Sequence, residues 1–279
     1  MGKTTYLEVL SRASSFLEDH GKEGHSIQFL FLERKGWQKL DWLLQMNEPI
    51  SSEDQQMIEQ DLEHLMNNYP PQYLLGYADF YGHRLKVTED TLIPRPETEE
   101  LVERCLQETS EQNLKVIDIG TGTGAIAISL KAARKNWDVS AVDLSPAALS
   151  VAKENAQQAG LAIHFYHGDT LAPVSDQIFD VIISNPPYIR FDEWELMDES
   201  VRTFEPKMAL FAEDEGLAIY KKIAKEAKQC LKPEGKLFLE IGFSQGEIVK
   251  QIFQTAFPNK QVSIHKDLFG NERIVSVMS

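Results

Sequence analysis

No apolar run in this chain approaches the roughly 20 residues needed to span a bilayer as a helix, so the sequence excludes an ordinary transmembrane helix. The opening residues, MGKTTYLEVLSRASSF, lack an apolar signal core, and the expected compartment is the cytoplasm. Gly2 does not begin a myristoylation pattern, because position 6 is Tyr6 rather than Ser or Thr. Gly2-Lys3-Thr4 looks like the end of a phosphate loop, but the strand and glycine that should precede it are missing. Cysteine is scarce. Cys105 and Cys230 lie far apart in helical patterns, without metal-ligand spacing, and both are expected as reduced core residues. No metal site is expected. Basic charge is scarce too: 28 Lys and Arg stand against 43 Asp and Glu, a net charge of −15. A protein that grips duplex DNA through its phosphates needs a basic face, and no Lys/Arg cluster appears. The balance favours a protein or small-molecule substrate over direct binding to duplex DNA. There is no internal repeat and no low-complexity stretch.

What is present fits a soluble globular protein, with 42% hydrophobic and 25% charged residues. The 279 residues suffice for one large domain, or one ordinary domain and a small one. Residues 1–72 read as helices only. Leu7, Leu10, Ala13, Phe16 and Leu17 recur at helical spacing, followed by Ile27, Leu30 and Phe31, then by Trp37, Leu40, Leu43 and Leu44. These rows are expected to form the core of a small bundle. Ser52 with Gln55 makes a capping box for a helix running to about Asn68, which Pro70 and Pro71 stop. In 73–96, Phe80, Gly82, Leu85 and Val87 suggest a short hairpin within a linker. Pro94 and Pro96 then force extended backbone that places Arg95 and Glu97 at a helix start.

From about residue 114 to 279 strands alternate with helices. Strands are expected at Val116 to Ile119, Asp138 to Val142, Ile163 to Tyr166, Phe179 to Ser184, Lys236 to Ile241, Val262 to His265 and Arg273 to Val277. Helices are expected at Ala125 to Arg134, Pro146 to Gly160 and Gly216 to Leu231. This alternation means an α/β fold, with a mainly parallel sheet covered on both faces. The last two strands have too little between them for a helical crossover and should pair antiparallel at one edge.

The most informative residues are Asn185-Pro186-Pro187-Tyr188, directly after an apolar strand. Ligands of open α/β sheets bind at such strand ends. An Asn side-chain carbonyl and a nearby backbone carbonyl can accept both N–H bonds of a planar amide or amidine nitrogen. The prolines fix the direction of that backbone carbonyl, and the tyrosine can stack on the planar group. The plainer reading is a Pro-rich turn with Tyr188 as a packing residue. Between the first strand and helix of this region, Gly120-Thr121-Gly122-Thr123-Gly124 would let backbone approach a ligand closely. It has G-x-G-x-G spacing, unlike the dinucleotide fingerprint, and a tight turn is the bland alternative. The next strand ends at Asp143, where an acid can hold both hydroxyls of a ribose. Asp169, with Thr170 after it, sits where an adenine would lie. Strand ends one to four thus supply a glycine loop, a ribose acid, an adenine-edge residue and an amide clamp.

That ordered set resembles the class I S-adenosylmethionine-dependent methyltransferases over residues 114–279. Adding Pro71-Gln72-Tyr73-Leu74-Leu75-Gly76, Phe80-Tyr81-Gly82, Pro94-Arg95-Pro96-Glu97-Thr98-Glu99, Ile189 after the clamp, Glu240-Ile241-Gly242 with Gln245-Gly246, and Asp267-Leu268-Phe269-Gly270 narrows it. Nearly the whole chain then looks like the bacterial peptide-chain release-factor glutamine methyltransferases. The resemblance implies a seven-stranded, mostly parallel Rossmann-like methyltransferase sheet with a small N-terminal helical bundle and a short hairpin linker. The domains would be 1–72 for substrate recognition, 73–96 as linker and 97–279 for catalysis. It implies methyl transfer from S-adenosylmethionine, leaving S-adenosylhomocysteine, to the glutamine of the Gly-Gly-Gln loop of release factors during translation termination. Asn185, Pro186 and Tyr188 would be catalytic, and Pro187 would join them in binding substrate. Gly120, Thr121, Gly122, Thr123, Gly124, Asp143, Asp169, Thr170 and Asn185 would hold the cofactor. Two places depart from the family pattern. A tryptophan often follows the acid at 169, and here it is Thr170, so another side chain is expected to pack on the adenine. Gly270-Asn271-Glu272-Arg273 lacks the more basic or acidic pair expected after the glycine, which reads as surface variation.

No His or Glu sits beside the clamp, consistent with a transfer that needs positioning rather than a general base. Three rivals follow from the same residues. An adenine-N6 DNA methyltransferase shares the clamp but needs a basic recognition region. A glutamine methyltransferase of a ribosomal protein would share the catalytic domain. A non-enzymatic cofactor-binding module would show a damaged clamp, and this one is intact.

Overall fold

The computed structural model describes residues 4–279, so Gly2 and Lys3 of the lipidation and phosphate-loop patterns lie outside the described residues. The chain divides into two compact units. One runs to Gly76 and takes in Asp198–Phe204; the other comprises Tyr77–Met197 and Glu205–Ser279.

The first unit is helical, with helices at Tyr6–Asp19, His25–Lys35, Lys39–Gln45, Ser52–Met66 and Pro71–Leu75. Leu10, Ala13, Leu17, Ile27, Leu30, Phe31, Ile58 and Leu65 form its core. Two buried carboxylates are paired, as burial of charge requires. Asp54 accepts from Tyr6 Oη at 2.6 Å and from Lys35 Nζ at 3.0 Å, and Asp61 takes two 2.9 Å bonds from Arg34. Asp198–Phe204 joins this unit through Phe204, whose ring meets Tyr69 edge-on at 4.9 Å. Two expectations need correction. Leu7, Phe16, Leu40, Leu43 and Leu44 are exposed, and the Lys39–Gln45 helix has no fully buried residue, with Trp42 alone packing part of its surface on the core. Helical spacing shows that apolar residues share a face, without showing what covers it. The cap of the Ser52–Met66 helix is Ser51, whose hydroxyl accepts the Asp54 amide at 3.0 Å. Ser52 is already inside the helix, so the Ser52–Gln55 spacing is coincidental.

The second unit opens with an antiparallel hairpin, β1 (Tyr77–Phe80) and β2 (His83–Lys86). Seven further strands form one sheet: β3 (Lys115–Ile119), β4 (Asp138–Asp143), β5 (His164–His167), β6 (Phe179–Ser184), β7 (Leu231–Glu240), β8 (Gln261–Lys266) and β9 (Glu272–Met278). Their order is β5-β4-β3-β6-β7-β9-β8. The first five pair in parallel; β9 runs antiparallel to both β7 and β8. Most residues of β3, β4 and β6 are buried, Asp118 and Ser140 included, because a parallel sheet is covered on both faces. One face packs with Leu101, Val102, Ile126 and Trp137, the other with Tyr220, Ile223, Val249 and Phe253. Cys105 and Cys230 are buried and unbridged.

Sequence order reverses between β3 and β6, which makes their C-terminal ends the switch point where ligands of such sheets bind. One helix starts later than its periodicity suggests. Asp214 and Glu215 take φ of 57° and 55°, and the regular helix runs Ala218–Cys230.

The cap assignment is testable. Ser51→Ala should lower stability in urea denaturation by about 1 kcal/mol, whereas Ser52→Ala should cost clearly less. The reverse ranking would return the cap to Ser52.

Candidate active site

The turn after β3 is built by its own backbone. Gly120 and Thr121 amides donate to the Val142 carbonyl at 2.9 and 3.1 Å, and the Gly124 amide closes onto the Thr121 carbonyl at 2.8 Å. The Gly122 amide then reaches Asp143 Oδ2 at 2.8 Å, while the Ser145 amide holds Oδ1 at 2.8 Å. Burial raises the Asp143 pKa, and these amide bonds pull it back. Gly122 has φ of +54°, a left-handed conformation, and a Cβ built there meets nothing within 4 Å. The space it would enter is a cavity.

That cavity, of about 510 Å³, lies over the ends of β3, β4 and β6, a volume suited to a small-molecule ligand. Gly120, Gly122, Asp143, Asp169 and Thr170 line it, as do Asn185, Pro186 and Pro187. Four expected site residues do not. Thr121 donates its hydroxyl inward to Asp118 Oδ2 at 2.7 Å, and Thr123 is buried with its carbonyl bonded to Asn155. Gly124 caps the next helix, and Tyr188 lies beyond the cavity wall. Alternating residues of a tight turn face opposite ways, so a motif written as a string mixes lining and supporting positions. Asp118 itself is buried, and burial pushes its carboxyl up to about 7 against the Thr121 bond.

On the far side Asp169 is ion-paired with Lys222. Thr170 has φ of 51°, and its hydroxyl donates to Glu226 at 2.5 Å. Leu144 and Ile219 supply apolar wall nearby. Another wall is the strap Glu89–Leu92. It leads to Ile93, whose amide donates to Glu205 Oε2 at 3.1 Å, and to Arg95, whose guanidinium donates to Glu205 Oε1 at 2.5 Å. Sequence reasoning missed Glu205: it lies in no motif, and its partners are over a hundred positions away in the chain.

The clamp residue Asn185 ends up with its two polar atoms in different places. Nδ2 donates to Thr98 Oγ1 at 3.0 Å, and Thr98 Oγ1 donates to Glu240 Oε2 at 2.7 Å. Among the described residues Oδ1 accepts no hydrogen bond, and Asn185 is part of the cavity wall. Tyr188 is held by its backbone: its carbonyl accepts from Gln245 Nε2 at 2.9 Å. Gly216 packs so closely that a Cβ there would stand 2.2 Å from that carbonyl, so only glycine fits. Burial also pushes the Tyr188 phenol above its ordinary pKa.

Comparison with known proteins gives matches over nearly the whole chain. The family described as "Methyltransferase small domain" matches residues 97–206, and "PrmC N-terminal domain" matches residues 8–76. A protein of Enterococcus faecalis named release factor glutamine methyltransferase is 56% identical, over 96% of this chain and 97% of its own length. Proteins of the same name from Lactococcus lactis and Bacillus subtilis are 47% and 36% identical, each covering 98% of this chain and 99% and 98% of their own lengths. Among solved structures, a methyltransferase from Pyrococcus furiosus superposes with a TM-score of 0.55 at 17% identity, covering 79% of this chain and 98% of its own. The 16S rRNA N2 G1207 methyltransferase of Thermus thermophilus, solved with AdoMet and guanosine, gives 0.51 at 17% identity, covering 72% of this chain and 49% of its own. At those identities the structural likeness shows the fold alone.

The strap makes its own prediction. Glu205→Ala leaves the Ile93 amide and Arg95 without their carboxylate, so amide hydrogen exchange across 89–95 should accelerate while β3 and β6 keep their protection. Unchanged exchange in the strap would show that something else anchors it.

Proposed function

The chain belongs to the release factor glutamine methyltransferase family, and on that premise we propose that it methylates the side-chain nitrogen of the glutamine in the Gly-Gly-Gln motif of peptide-chain release factors. The observation that carries this reading is Asn185, with its amide nitrogen bonded to Thr98 in a wall of the cavity and its oxygen left to accept. The methyl donor is S-adenosylmethionine. The residues present fit it: a glycine turn whose missing Cβ leaves open space, an acid at the end of β4, and apolar wall beside both. Bound there, it supplies a methyl group on a sulfonium, a good leaving group.

Asp143 is assigned to the ribose hydroxyls and Asp169 to the adenine edge. Thr170 spends its hydroxyl on Glu226, so Leu144 and Ile219 are assigned the apolar contact with the adenine. The substrate amide is a poor nucleophile because its lone pair is delocalised into the carbonyl. Asn185 Oδ1 and the Pro186 carbonyl accept its two N–H bonds and stabilise the positive charge that develops on nitrogen. The prolines hold the second carbonyl in place, and Tyr188 flanks the bound amide. As the N–C bond forms and the S–C bond breaks, the nitrogen becomes cationic and strongly acidic; it then gives its extra proton to water, so the clamp needs no basic side chain.

The helical unit, which contains neither the glycine turn nor the clamp, is assigned to recognition of the protein substrate. No helix among the described residues is long and apolar enough to cross a membrane. Action in the cytoplasm, without direct binding of duplex DNA, completes the reading. An adenine-N6 DNA methyltransferase would share the clamp, but the full-length likeness to release factor enzymes favours the protein substrate.

The deciding experiment is mass spectrometry of a release factor digested after incubation with the protein and S-adenosylmethionine. The Gly-Gly-Gln peptide should gain the mass of one methylene; its recovery unmodified would overturn the assignment. Two variants should separate the halves of the site. Asn185→Ala should slow transfer by about 10²–10³-fold with little change in cofactor affinity. Asp143→Ala should weaken cofactor binding by roughly 1–3 kcal/mol in calorimetry, and unchanged affinity would remove Asp143 from the site.

A further inference from the structure

Glu240 ends β7 with 2% of its surface exposed. The hydrogen bond of its side chain among the described residues is the 2.7 Å bond from Thr98. A buried carboxylate so sparsely satisfied is a poor stabilising device. Thr98, 5% exposed, sits in the first turn of the Pro96–Glu108 helix, where a threonine hydroxyl often satisfies a backbone amide. Here it faces the other way, between Glu240 and Asn185.

The direction of this chain follows from donor and acceptor chemistry. An ionised carboxylate only accepts. The Thr98 hydrogen is therefore committed to Glu240, and Thr98 meets Asn185 with a lone pair. Only the NH₂ end of the Asn185 amide complements it. The flipped amide would set oxygen against oxygen at Thr98 and present N–H to an incoming N–H. We propose that Glu240 and Thr98 are positioning residues, a relay that locks the Asn185 side chain with Oδ1 toward the substrate. This rests on the reading of Asn185 as a clamp for a glutamine amide.

Groups from every side bear on Glu240. Arg95 and Glu97 come from the start of the Pro96–Glu108 helix and Arg273 from β9. Tyr188 is close enough to feel its charge, and the Tyr220 hydroxyl donates to its backbone carbonyl at 2.8 Å. Burial pushes the carboxyl up to about 7, against the Thr98 bond and the positive charge of Arg273. Above that pH Glu240 is ionised and the relay runs in the productive direction. Below it, the protonated acid can donate to Thr98, whose hydrogen can then turn to Asn185 Oδ1. The preference for the productive amide orientation disappears, so transfer should fall as pH falls through about 7.

The test is a double-mutant cycle on the full chain with a release factor as substrate. Thr98→Val, which keeps shape and loses the hydroxyl, should lower kcat by roughly 10–100-fold, with calorimetric affinity for S-adenosylmethionine unchanged. Thr98→Ser should restore most of the rate. In an Asn185→Ala background Thr98→Val should cost nothing more, because the group it orients is gone. Wild-type kcat should show an acid limb near pH 7, and Glu240→Gln should lack it, since a carboxamide can offer Thr98 either atom at any pH. If Thr98→Val fails to fold, Glu240→Gln crossed with Asn185→Ala gives the same cycle. Losses that multiply independently of Asn185, or an acid limb unchanged in Glu240→Gln, would remove the relay while leaving the clamp. A wild-type protein that left the release factor unmodified would remove the clamp and the relay with it.

Discussion

The hydrogen bond from Asn185 Nδ2 to Thr98 Oγ1 is the contact on which the site depends. It decides which end of a nearly symmetrical amide is left free to face the proposed substrate. With Glu240, which accepts from Thr98, it links three residues, from the end of β6, the first turn of a helix before the sheet, and the end of β7. They meet because parallel strands bring their C-terminal ends to one edge, where the β3–β6 reversal opens a crevice. Chain segments that pack the sheet elsewhere thus serve as the frame of the clamp.

The glycine-turn side of the cavity obeys a related constraint. Asp143 is partly buried and takes backbone N–H bonds from Gly122 and Ser145. The acid fixes the glycine turn as much as the turn fixes the acid. Asp118, one strand over, is buried more deeply. Burial raises the pKa of both carboxylates. A third carboxylate, Glu205, ties down the backbone that continues from the strap.

Much of this was legible before the fold. β3, β4 and β6 announced themselves because burial on both faces favours short, largely apolar segments between turn signals. Gly120, Gly122, Asp143, Asn185, Pro186 and Pro187 stood at strand ends in the sequence, and they line one cavity in the fold. The rest depended on three-dimensional partners. Thr98 and Glu240 sat inside recognisable strings, yet their bond spans 142 positions and nothing local signals it. Thr121 and Thr123 belonged to the right motif and turned inward. Ser51 and Ser52 both have the chemistry of a helix cap, and only the backbone angles of Ser51 select between them. Leu40, Leu43 and Leu44 show the opposite failure, a regular apolar row that covers nothing in its unit. Periodicity encodes a face; occupancy of that face is decided elsewhere in the chain.

The orientation of one amide is the centre of this account, and nitrogen NMR reads it directly. In protein labelled with ¹⁵N-asparagine, the Asn185 side-chain resonances are those lost in Asn185→Asp. A hydrogen bond to Thr98 should give one slowly exchanging proton, well separated in shift from its geminal partner. Two protons of similar shift, both exchanging at the rate of solvent-exposed amides, would show the side chain to be unrestrained and contradict the account.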